Sequence, residues 1–486
     1  MSFNEVVSFL NGIIWSNWLV WLCLGTGVFF SVIMMFPQVR LIKDMVKHLF
    51  AGGDSESGVT SFQSFAMALG GRVGTGNIAG VASAIGFGGP GAVFWMWAIA
   101  FLGAGSAYIE SALAQVYKEE MDGQYRGGPS YYIEKGLNNK PFAYIFAVSA
   151  IVGVGFFLPG IQANSIATSM NQAFGLPTWL TGLAVAGLLG TVIFGGVKRI
   201  GKVAEIIVPF MAIGYIIIAL IVIIFNLDKV PGVFALIFEH AFSARAATGA
   251  VIGQAIMWGV KRGIYSNEAG QGTGPMAAAA AEVSHPAKQG LVQAFSVYVD
   301  TLFVCSATAF MVLIMGTYNI YDEAGNVLVE NMAGVRPGPV YTQRAVDAFF
   351  PGDGFGSVFV AIALFFFAFS TLLAYYYYTE VNVAYLARKV KNHKLVFNVA
   401  RVTLLVMTFV GSINTAGAVW DLGDVGVGVM AWLNIAAILL LTKTGVLTLK
   451  DYEAQKKLGK DPIFDPVALG IKNADLWMTI KKKYEK

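Results

Sequence analysis

The chain has 486 residues, and 33 Lys and Arg residues against 29 Asp and Glu residues give it a net charge of +4. Only 13% of the residues are charged and 56% are hydrophobic, whereas a soluble globular protein carries about 25% charged residues. Water-soluble cores could not hide this much apolar mass without leaving an apolar surface. The composition therefore excludes an ordinary water-soluble enzyme and predicts a membrane protein.

Cysteine and histidine positions exclude two kinds of site. Cys23 and Cys305 lie in apolar runs without a CxxC spacing, so we expect neither a disulfide framework nor a structural zinc site. The four histidines are scattered through polar stretches and predict no metal cluster. No catalytic triad, zinc-protease or Walker motif is present, so the sequence predicts neither an enzyme nor direct use of ATP. Nothing in the charge balance indicates a nucleic-acid partner.

Eleven apolar runs are long enough to cross a bilayer, which takes about 20 residues. The first, Trp15 to Phe36, is longer than a signal-peptide core, so we expect it to remain in the protein. The sequence therefore predicts an all-α protein with eleven transmembrane helices. The ten runs after the first lie near 61–86, 90–117, 142–172, 178–196, 203–226, 246–284, 288–318, 355–386, 395–413 and 418–442.

The basic residues alternate between loops as the positive-inside rule requires. With the N-terminus outside, the cytoplasmic segments hold 26 of the 33 Lys and Arg residues and the outside segments hold 4. The remaining three, Arg72, Lys261 and Arg262, fall inside spans. This distribution predicts a multi-pass protein of the cell membrane with a cytoplasmic C-terminus, and a Lys-rich tail at 443–486 that is partly solvated.

The span at 61–86 is interrupted by the string GGRVGTGNIAG at 70–80, which places Arg72 and Asn77 at mid-membrane depth. Each glycine lowers helix stability by roughly 1 kcal/mol relative to alanine. Backbone that leaves the helix survives at this depth only where protein or a water-filled cavity surrounds it. Close helix packing through small-xxx-small pairs is the alternative interpretation of the glycines. The arginine and the asparagine favour a broken helix.

The span at 246–284 repeats this anomaly with the string WGVKRGIYSNEAGQGTG at 258–274. Both strings contain an arginine, an asparagine five residues later and then Ala-Gly: Arg72, Asn77, Ala79 and Gly80 in the first, and Arg262, Asn267, Ala269 and Gly270 in the second. Each string opens a set of five spans, and an odd number of spans per set makes the second set inverted relative to the first.

Inverted five-span repeats that each open with a broken helix are the architecture of secondary transporters that bind substrate at the bilayer midplane. The sequence thus predicts an extra N-terminal helix with its cytoplasmic connection, two repeats joined by an outside connection, and a tail. Their expected bounds are 1–60, 61–226, 227–245, 246–442 and 443–486.

Helix dipoles predict the chemistry of the two breaks. The half-helix after the first break offers the N–H groups of Thr75, Gly76 and Asn77 to an anion such as a carboxylate. We expect the second break near Trp258 and Gly259, where a half-helix would offer free carbonyls to an ammonium group or Na⁺. A zwitterion with its charges on adjacent atoms fits between them.

Polar residues in two other spans support a central site. Gln162, with Asn164 and Ser165 nearby, offers both a donor and an acceptor, although helix–helix hydrogen bonding is an equal alternative. Ser370 and Thr371 could ligate a hard cation together with backbone carbonyls. Hydroxyl bonding to the preceding helical turn is the commoner role of such residues.

Acidic residues inside membrane spans are candidates for function. Those of this chain are Glu110, Asp300, Glu205 and Glu380. The first two keep a proton-coupled mechanism open. The other two lie near cytoplasmic ends, where water, Lys202 or Arg388 can neutralise them.

Four strings carry a family resemblance: GGRVGTGNIAG at 70–80, GGPGAVFWMWAIAFLG at 88–103, QANSIA at 162–167 and RGIYSNEAGQGTG at 262–274. They resemble those of the alanine or glycine:cation symporters (sodium:alanine symporters) of the amino acid-polyamine-cation superfamily. The resemblance implies Na⁺-driven uptake of alanine or glycine by alternating access. It also implies a leucine-transporter-like fold of two inverted five-helix repeats, with one extra helix before this core.

The same resemblance implies a role for each site residue. Thr75 and Gly76 would present N–H groups to the substrate carboxylate, and Asn77 would help to hold substrate or an ion. The remaining substrate-binding residues would be Gln162, Trp258, Gly259 and Phe369. The Na⁺ ligands would be the carbonyls of Gly70 and Val73 and the hydroxyls of Ser370 and Thr371.

Bulky side chains limit the expected substrate. A pocket crossed by Trp258, Met257 and Phe369 would favour a small amino acid.

An H⁺-coupled symporter is the alternative function, and a channel would need a continuous polar pore. An integral-membrane enzyme would need acid, base or metal groupings that the sequence lacks. The expected partners are therefore a small-molecule substrate, Na⁺ and the lipid bilayer.

Overall fold

The computed structural model describes residues 3–50, 57–242, 250–322, 324–352 and 354–484, and nearly all of its regular structure is helical. The helices before the middle of the chain are α1 (Phe3–Ile14), α2 (Asn17–Ile33), α3 (Pro37–Arg40), α4 (Ile42–Leu49), α5 (Ser61–Arg72), α6 (Val81–Gly88), α7 (Gly91–Val116), α8 (Pro129–Leu137), α9 (Lys140–Val152), α10 (Leu158–Phe174), α11 (Thr178–Ile193), α12 (Gly196–Ile224) and α13 (Val230–Phe242). The later helices are α14 (Ala250–Asn267), α15 (Gly274–Ala280), α16 (Pro286–Val297), α17 (Ser306–Met315), α18 (Pro339–Phe349), α19 (Phe355–Leu386), α20 (His393–Ile413), α21 (Ala416–Leu440), α22 (Thr442–Lys457) and α23 (Trp477–Tyr484).

Shorter elements complete the secondary structure. Three segments are π-helical, Gly76–Gly80, Gly153–Phe157 and Tyr298–Cys305, and Ala387–Lys389 is a 3₁₀ turn. Two antiparallel hairpins join β1 (Glu119–Met121) to β2 (Gln124–Arg126) and β3 (Asn319–Tyr321) to β4 (Val327–Glu330). Two of these π-helical segments, Gly76–Gly80 and Tyr298–Cys305, contact each other at the first interrupted span. Their position is informative because π-helical turns are rare and frequently lie at functional sites.

Local sequence signals set several helix starts. The Thr60 hydroxyl accepts from the Gln63 N–H while the Gln63 side chain accepts from the Thr60 N–H, which makes a capping box for α5. At α16, the His285 ring accepts from Ala287 and Pro286 occupies the first turn, where its missing N–H costs nothing. These caps fix where the chain enters the membrane before each central helix.

Eight helical spans among the described residues are long and apolar enough to cross a membrane. Three of the eleven predicted spans fall outside this group. The spans at 61–86 and 246–284 are divided into shorter helices, and the span at 178–196 is the short helix α11. The count of eleven therefore stays a prediction.

The first span begins earlier than predicted. A candidate span covers Glu5–Ile33, with a turn at 15–16 between α1 and α2. The Trp15 indole donates to the Asp424 carbonyl at 2.8 Å, and the Trp432 indole donates to the Ile14 carbonyl at 3.0 Å. The residues placed outside the membrane by sequence therefore form a helix packed on α21.

The helices of the two sets pack as counterparts. The second helix of the first set, α7, lies along α16, which holds the same place in the second set. Likewise α10 packs on α19, and α11 packs on α20. Helices α5 and α15 contact each other at the centre, where α14 also crosses the π-helical segment after α5. This pairing places both interrupted helices in the middle of the bundle.

The C-terminal segment packs against one end of the bundle. Trp477 is fully buried and donates its indole N–H to the Gln115 carbonyl at 2.8 Å. Phe464 is also buried, and its N–H donates to the Ser284 carbonyl at 3.0 Å. Lys288 pairs with Asp461 at 2.6 Å. The tail thus forms a packed layer over one end of the bundle. We call this end of the bundle the tail face.

Candidate functional site

The first break lies where the glycine-rich string predicts it. Helix α5 ends at Arg72, and the π-helical segment begins at Gly76. Between them the Gly74 N–H donates to Asn77 Oδ1 at 2.8 Å, and the Thr75 N–H donates to Gln162 Oε1 at 3.1 Å. The structure therefore brings Thr75, Asn77 and Gln162 together around two N–H groups that a broken helix leaves free.

Gly74 is required here by close approach. A Cβ on Gly74 would lie 2.4 Å from Thr371 Oγ1 and 3.0 Å from Gln162 Oε1. A Cβ on Gly76 would lie 3.1 Å from the Tyr265 ring, so α14 crosses directly over the break. The break is thus enclosed by three helices, which satisfies the condition for irregular backbone inside a membrane.

Oxygens of α5 and α19 converge next to this break. The Thr371 hydroxyl lies 2.9 Å from the Gly70 carbonyl and 3.5 Å from the Val73 carbonyl. The Ser370 hydroxyl lies 3.3 Å from the Gly70 carbonyl. Both hydroxyls also lie within 3.0 Å of the Phe367 carbonyl. We call these oxygens the cation cradle.

The chemistry of the cradle fits a hard cation. Its donors are carbonyl and hydroxyl oxygens without a thiolate or imidazole, which suits Na⁺ rather than a transition metal. The hydroxyls bond to the preceding turn, as the structural alternative predicts, and reach across to α5 as well. One set of hydroxyls thus joins a continuous helix to the end of a broken one. Phe367 was missed by the sequence, although back-bonding from Ser370 and Thr371 identifies it.

The second break is not where the sequence predicts it. Helix α14 runs without interruption from Ala250 to Asn267, so Trp258 and Gly259 lie inside a helix. A Cβ on Gly259 would lie 2.5 Å from the Ala92 carbonyl. This glycine therefore permits α14 to pack closely on α7, which is the small-residue alternative.

The actual break occupies residues 268–273. Glu268 has a φ of 55°, and Gly270 and Gly272 have φ values of 82° and 90°. Glycine adopts such angles readily, whereas a glutamate there is strained. The Arg72 Nε donates to the Asn267 carbonyl at 2.6 Å and so caps the end of α14. Arg72, at the end of one broken helix, thus stabilises the other.

Glu110 holds the second break from the side. Its carboxylate accepts from the Gly270 N–H at 3.2 Å and from Asn434 Nδ2 at 2.7 Å. Asn434 also donates to the Gly270 carbonyl at 2.9 Å. This predicted acid therefore has one partner in the break itself and one on α21. Asn434 was missed because a single asparagine in an apolar helix carries little signal.

Asp300 lies against the first break. It accepts from Asn77 Nδ2 at 2.7 Å, from Ser266 Oγ at 2.9 Å and from Thr301 Oγ1 at 2.7 Å. The structure thus joins the predicted residues Asn77 and Asp300, and adds Ser266, which the sequence did not single out.

The other two predicted acids lie elsewhere. Glu380 pairs with Arg126 at 3.1 Å instead of Arg388, which contacts Glu119 and Glu134. Glu205 accepts from Gln63 Nε2 at 3.0 Å. Both are therefore held by tail-face partners, as their position in the sequence predicts, but by different groups.

A cavity of about 750 Å³ opens on the face opposite the tail. Trp258, Met257 and Lys261 line it. Lys261 and the neighbouring Arg262 both pair with Asp424, at 2.8 and 2.5 Å. Tyr265 and Trp420 flank the Arg262 guanidinium. The cavity wall thus adjoins a buried charged cluster that aromatic rings cover.

The tail face is closed by backbone contacts. The Val59 N–H donates to the Ala280 carbonyl at 2.9 Å, and the Glu282 N–H donates to the Val59 carbonyl at 3.0 Å. Lys118 donates to the Ala281 carbonyl at 2.8 Å, and burial lowers the pKa of this lysine to about 7. The chain entering α5 is therefore tied to the chain leaving α15.

The profile of the sodium:alanine symporter family matches residues 1–466. The chain belongs to this family. The putative sodium/proton-dependent alanine carrier protein YrbD of Bacillus subtilis is 59% identical and covers 97% of each chain. The sodium/proton-dependent alanine carrier protein of Bacillus sp. strain PS3 is 52% identical over 91% of this chain and 98% of its own.

Among solved structures, MhsT in complex with L-phenylalanine has a TM-score of 0.58 at 16% identity, covering 88% of this chain and 97% of its own. This likeness confirms the leucine-transporter-like fold predicted for this family member. The family assignment places the protein among transporters.

The predicted site residues of this symporter-family chain do not all meet. Thr75, Gly76, Asn77 and Gln162 meet at the first break, and Gly70, Val73, Ser370 and Thr371 form the cradle beside it. Trp258 lies in the outer cavity, stacked on Phe87 at 4.7 Å. Phe369 stacks on Phe365 at 5.7 Å, one turn away on α19. The aromatic pocket predicted from three residues is thus divided between two places.

Proposed function

We propose that the protein is a secondary transporter that couples the entry of Na⁺ to the uptake of alanine or glycine by alternating access. The observation that carries this proposal is the cation cradle, where the Thr371 hydroxyl reaches the carbonyls of Gly70 and Val73 at the end of a broken helix. A cation bound there ties α5 to α19. Its binding therefore favours one arrangement of the bundle, which is what coupling requires.

Two side-chain oxygens support the assignment of the substrate carboxylate. Gln162 Oε1 and Asn77 Oδ1 accept from the N–H groups of Thr75 and Gly74. They occupy the acceptor positions that the two oxygens of a carboxylate would take. We assign Thr75, Gly76, Asn77 and Gln162 to substrate, and leave out Gly259 because its carbonyl lies inside a continuous helix.

The proposed topology places the tail face in the cytoplasm and the outer cavity outside, in the cell membrane. The distribution of Lys and Arg residues supports this orientation. Substrate then enters through the cavity lined by Trp258 and passes the Arg262–Asp424 pair. Release requires the Val59 contacts with 280–282 to open.

Uptake of radiolabelled alanine into proteoliposomes tests the proposal. We expect accumulation with an inward Na⁺ gradient and none without it. An inward H⁺ gradient at equal ionic strength tests the proton-coupled alternative, which Asp300 beside Asn77 favours. Inhibition of alanine uptake by other amino acids should fall steeply for side chains larger than that of serine. Leucine that inhibits as well as unlabelled alanine would contradict a small-substrate site.

A hydroxyl deletion tests the cradle itself. We expect Thr371→Ala to raise the half-saturating Na⁺ concentration by about five- to 150-fold, because a lost ligand costs about 1–3 kcal/mol. Thr408→Ala is the matched control, since Thr408 is also buried and donates only to the Leu404 carbonyl of its own helix, at 2.8 Å. An unchanged Na⁺ dependence in Thr371→Ala would remove the cradle from coupling.

A further inference from the structure

Three acids are buried around the second break, and they differ in their partners. Both oxygens of Glu110 accept hydrogen bonds, from Gly270 and Asn434. Asp300 accepts from the side chains described above at the first break. Glu268 is only 1% exposed, yet neither of its carboxyl oxygens has a hydrogen-bond partner among the described residues.

No cation within the described residues pairs with Glu268. The Arg72 guanidinium is close enough to interact with Glu268 electrostatically, but its Nε bonds to the Asn267 carbonyl, its Nη1 bonds to Gln293 and Ser296, and its Nη2 has no hydrogen-bond partner among the described residues. Glu110 and Asp300 are also close enough to add negative charge. The Thr273 hydroxyl is a side-chain donor near the carboxyl, and it too is buried without a hydrogen-bond partner among the described residues.

Tyrosines complete the surroundings of Glu268. Tyr265, Tyr375 and Tyr378 all face its carboxyl. Tyr265 also faces Arg262 and Asp424, which form a separate cluster toward the outer cavity. The Tyr378 hydroxyl has no partner, and it adjoins the same space over Gly71 as Glu268 Oε2.

An ionised carboxylate without partners is expensive in this setting. Leaving a charge buried and unpaired costs several kcal/mol, so such a group takes up a proton or moves to water. Glu110 and Asp300 accept hydrogen bonds that stabilise a charge, whereas neither carboxyl oxygen of Glu268 accepts one among the described residues. Glu268 also lies in irregular backbone between two half-helices, the part of the bundle best placed to move.

We propose that Glu268 binds a proton that crosses the membrane together with Na⁺ and the amino acid. This inference rests on the proposed symport and adds its second coupling ion. In the arrangement described here the carboxyl is neutral, with an O–H bond formed to a proton taken from water outside. When residues 268–273 reach water on the tail face, that bond breaks and the proton passes to water inside.

The test is the ratio of protons to alanine in proteoliposomes that contain a pH-sensitive dye. The membrane potential is clamped, an inward Na⁺ gradient is applied, and radiolabelled alanine is added. We expect about one proton per alanine for the wild type and none for Glu268→Gln, because a glutamine cannot carry the proton. Glu205→Gln is the matched control and should keep the wild-type ratio, since Glu205 lies away from both breaks and accepts from the neutral Gln63 side chain.

The outcomes separate this inference from the proposed function. If the wild type accumulates no alanine with a Na⁺ gradient, the symport proposal fails. If it accumulates alanine without proton entry, or if Glu268→Gln keeps the wild-type ratio, symport stands and the role of Glu268 is overturned.

If Glu268→Gln transports alanine too slowly for the ratio to be measured, proton uptake on substrate binding can be measured instead. Purified protein in weak buffer should take up protons when alanine and Na⁺ bind, and Glu268→Gln, with alanine binding confirmed by thermal shift, should not. If the glutamine variant does not fold, Glu268→Asp replaces it. A changed pH midpoint of proton uptake in that variant supports the inference, and an unchanged midpoint overturns it.

Discussion

The two broken helices meet at the centre of the bundle but differ in kind. The first interrupts only residues 73–75, and its free N–H groups bond to the neutral amides of Asn77 and Gln162. The second interrupts residues 268–273, adopts left-handed backbone and is surrounded by Arg72 and buried carboxyl groups. At the first break the free N–H groups therefore bond to neutral amide oxygens, which a substrate carboxylate could replace. At the second break, the buried carboxylate of Glu110 and the guanidinium of Arg72 hold the backbone in place.

This difference shows that the shared letters of the two strings do not mark shared roles. Arg72 ends its half-helix and caps α14, whereas Arg262 lies within α14 and pairs with Asp424. Asn77 contacts Asp300, whereas Asn267 accepts from the Ala269 N–H at 3.0 Å. Placing the breaks by aligning the strings is therefore unsafe, because helix continuity depends on packing as well as on residue type.

The largest effect is expected at the first break. Gly74→Ala should abolish coupled uptake, because its Cβ would lie within 2.4 Å of Thr371 Oγ1 and displace both the cradle and Gln162. Gly80→Ala is the matched control in the same string, since its Cβ would have its nearest neighbour at 3.9 Å. Uptake assays of both variants check this, and equal activity would contradict the close approach.

A smaller effect is expected where the second break was predicted but not found. Gly259→Ala should lower stability by about 1–3 kcal/mol, because overpacking forces α14 away from α7. Gly253→Ala, on the same helix with nothing within 4 Å, should be neutral or slightly stabilising. Thermal unfolding in detergent measures both. A stable Gly259→Ala variant that has lost only alanine binding would restore Gly259 to the substrate site.

Glu110→Gln should destabilise the second break by about 1–2 kcal/mol, because an amide offers one acceptor atom where Gly270 and Asn434 present two donors. Glu205→Gln serves as the control, since Glu205 accepts from only one neutral side chain, Gln63. Comparing the melting temperatures of the two variants tests whether the second break depends on Glu110. A larger loss in Glu205→Gln would mean that the second break does not depend on Glu110.

The smallest effect is expected far from both breaks, on the tail face. Burial, and then the charge of Lys288, lower the pKa of His48 to about 4, whereas its unfolded value is about 6.5. A lowered histidine pKa means that the unfolded state binds more protons between these values. Stability should therefore be complete above pH 6.5 and fall on acidification toward pH 4, by at most about 1.4 kcal/mol per pH unit.

Melting temperatures at pH 7 and pH 5 measure this loss. His48→Asn should lose less than the wild type over the same interval, because the titrating ring is gone. Identical losses in both proteins would assign the pH dependence to other groups.

Much of the bundle follows from hydropathy and glycine. The apolar runs predict the long helices, and GGRVGTGNIAG predicts the first break because its glycines fall together with Arg72 and Asn77. The Ser370–Thr371 pair lies beside that break, as the resemblance implies. Local chemistry sufficed there, because the break and its neighbours are set by residue types within one short string.

Sequence alone was insufficient where helix continuity, burial or pairing depends on residues far apart in the chain. From sequence alone, Gly259 suggests a break in its helix. The structure shows instead that this glycine allows α14 to pack closely against Ala92 of α7. The lysines of the tail predict a partly solvated segment, but they do not predict that Trp477 and Phe464 are buried against Gln115 and Ser284. The partner of Glu380 is likewise the distant Arg126 rather than Arg388. Each of these depends on contacts between residues far apart in the chain.

The packed tail has a consequence for biosynthesis. The Trp477 indole bonds to a carbonyl 362 residues earlier, at the end of α7. Translation delivers residues in order, so α7 and α16 enter the bilayer long before their covering layer has been made. During that interval the ends of these helices lack the indole of Trp477 and the ring of Phe464. Completion of the tail-face layer is therefore among the last steps of assembly, because its residues can pack only on upstream helices that are already in place.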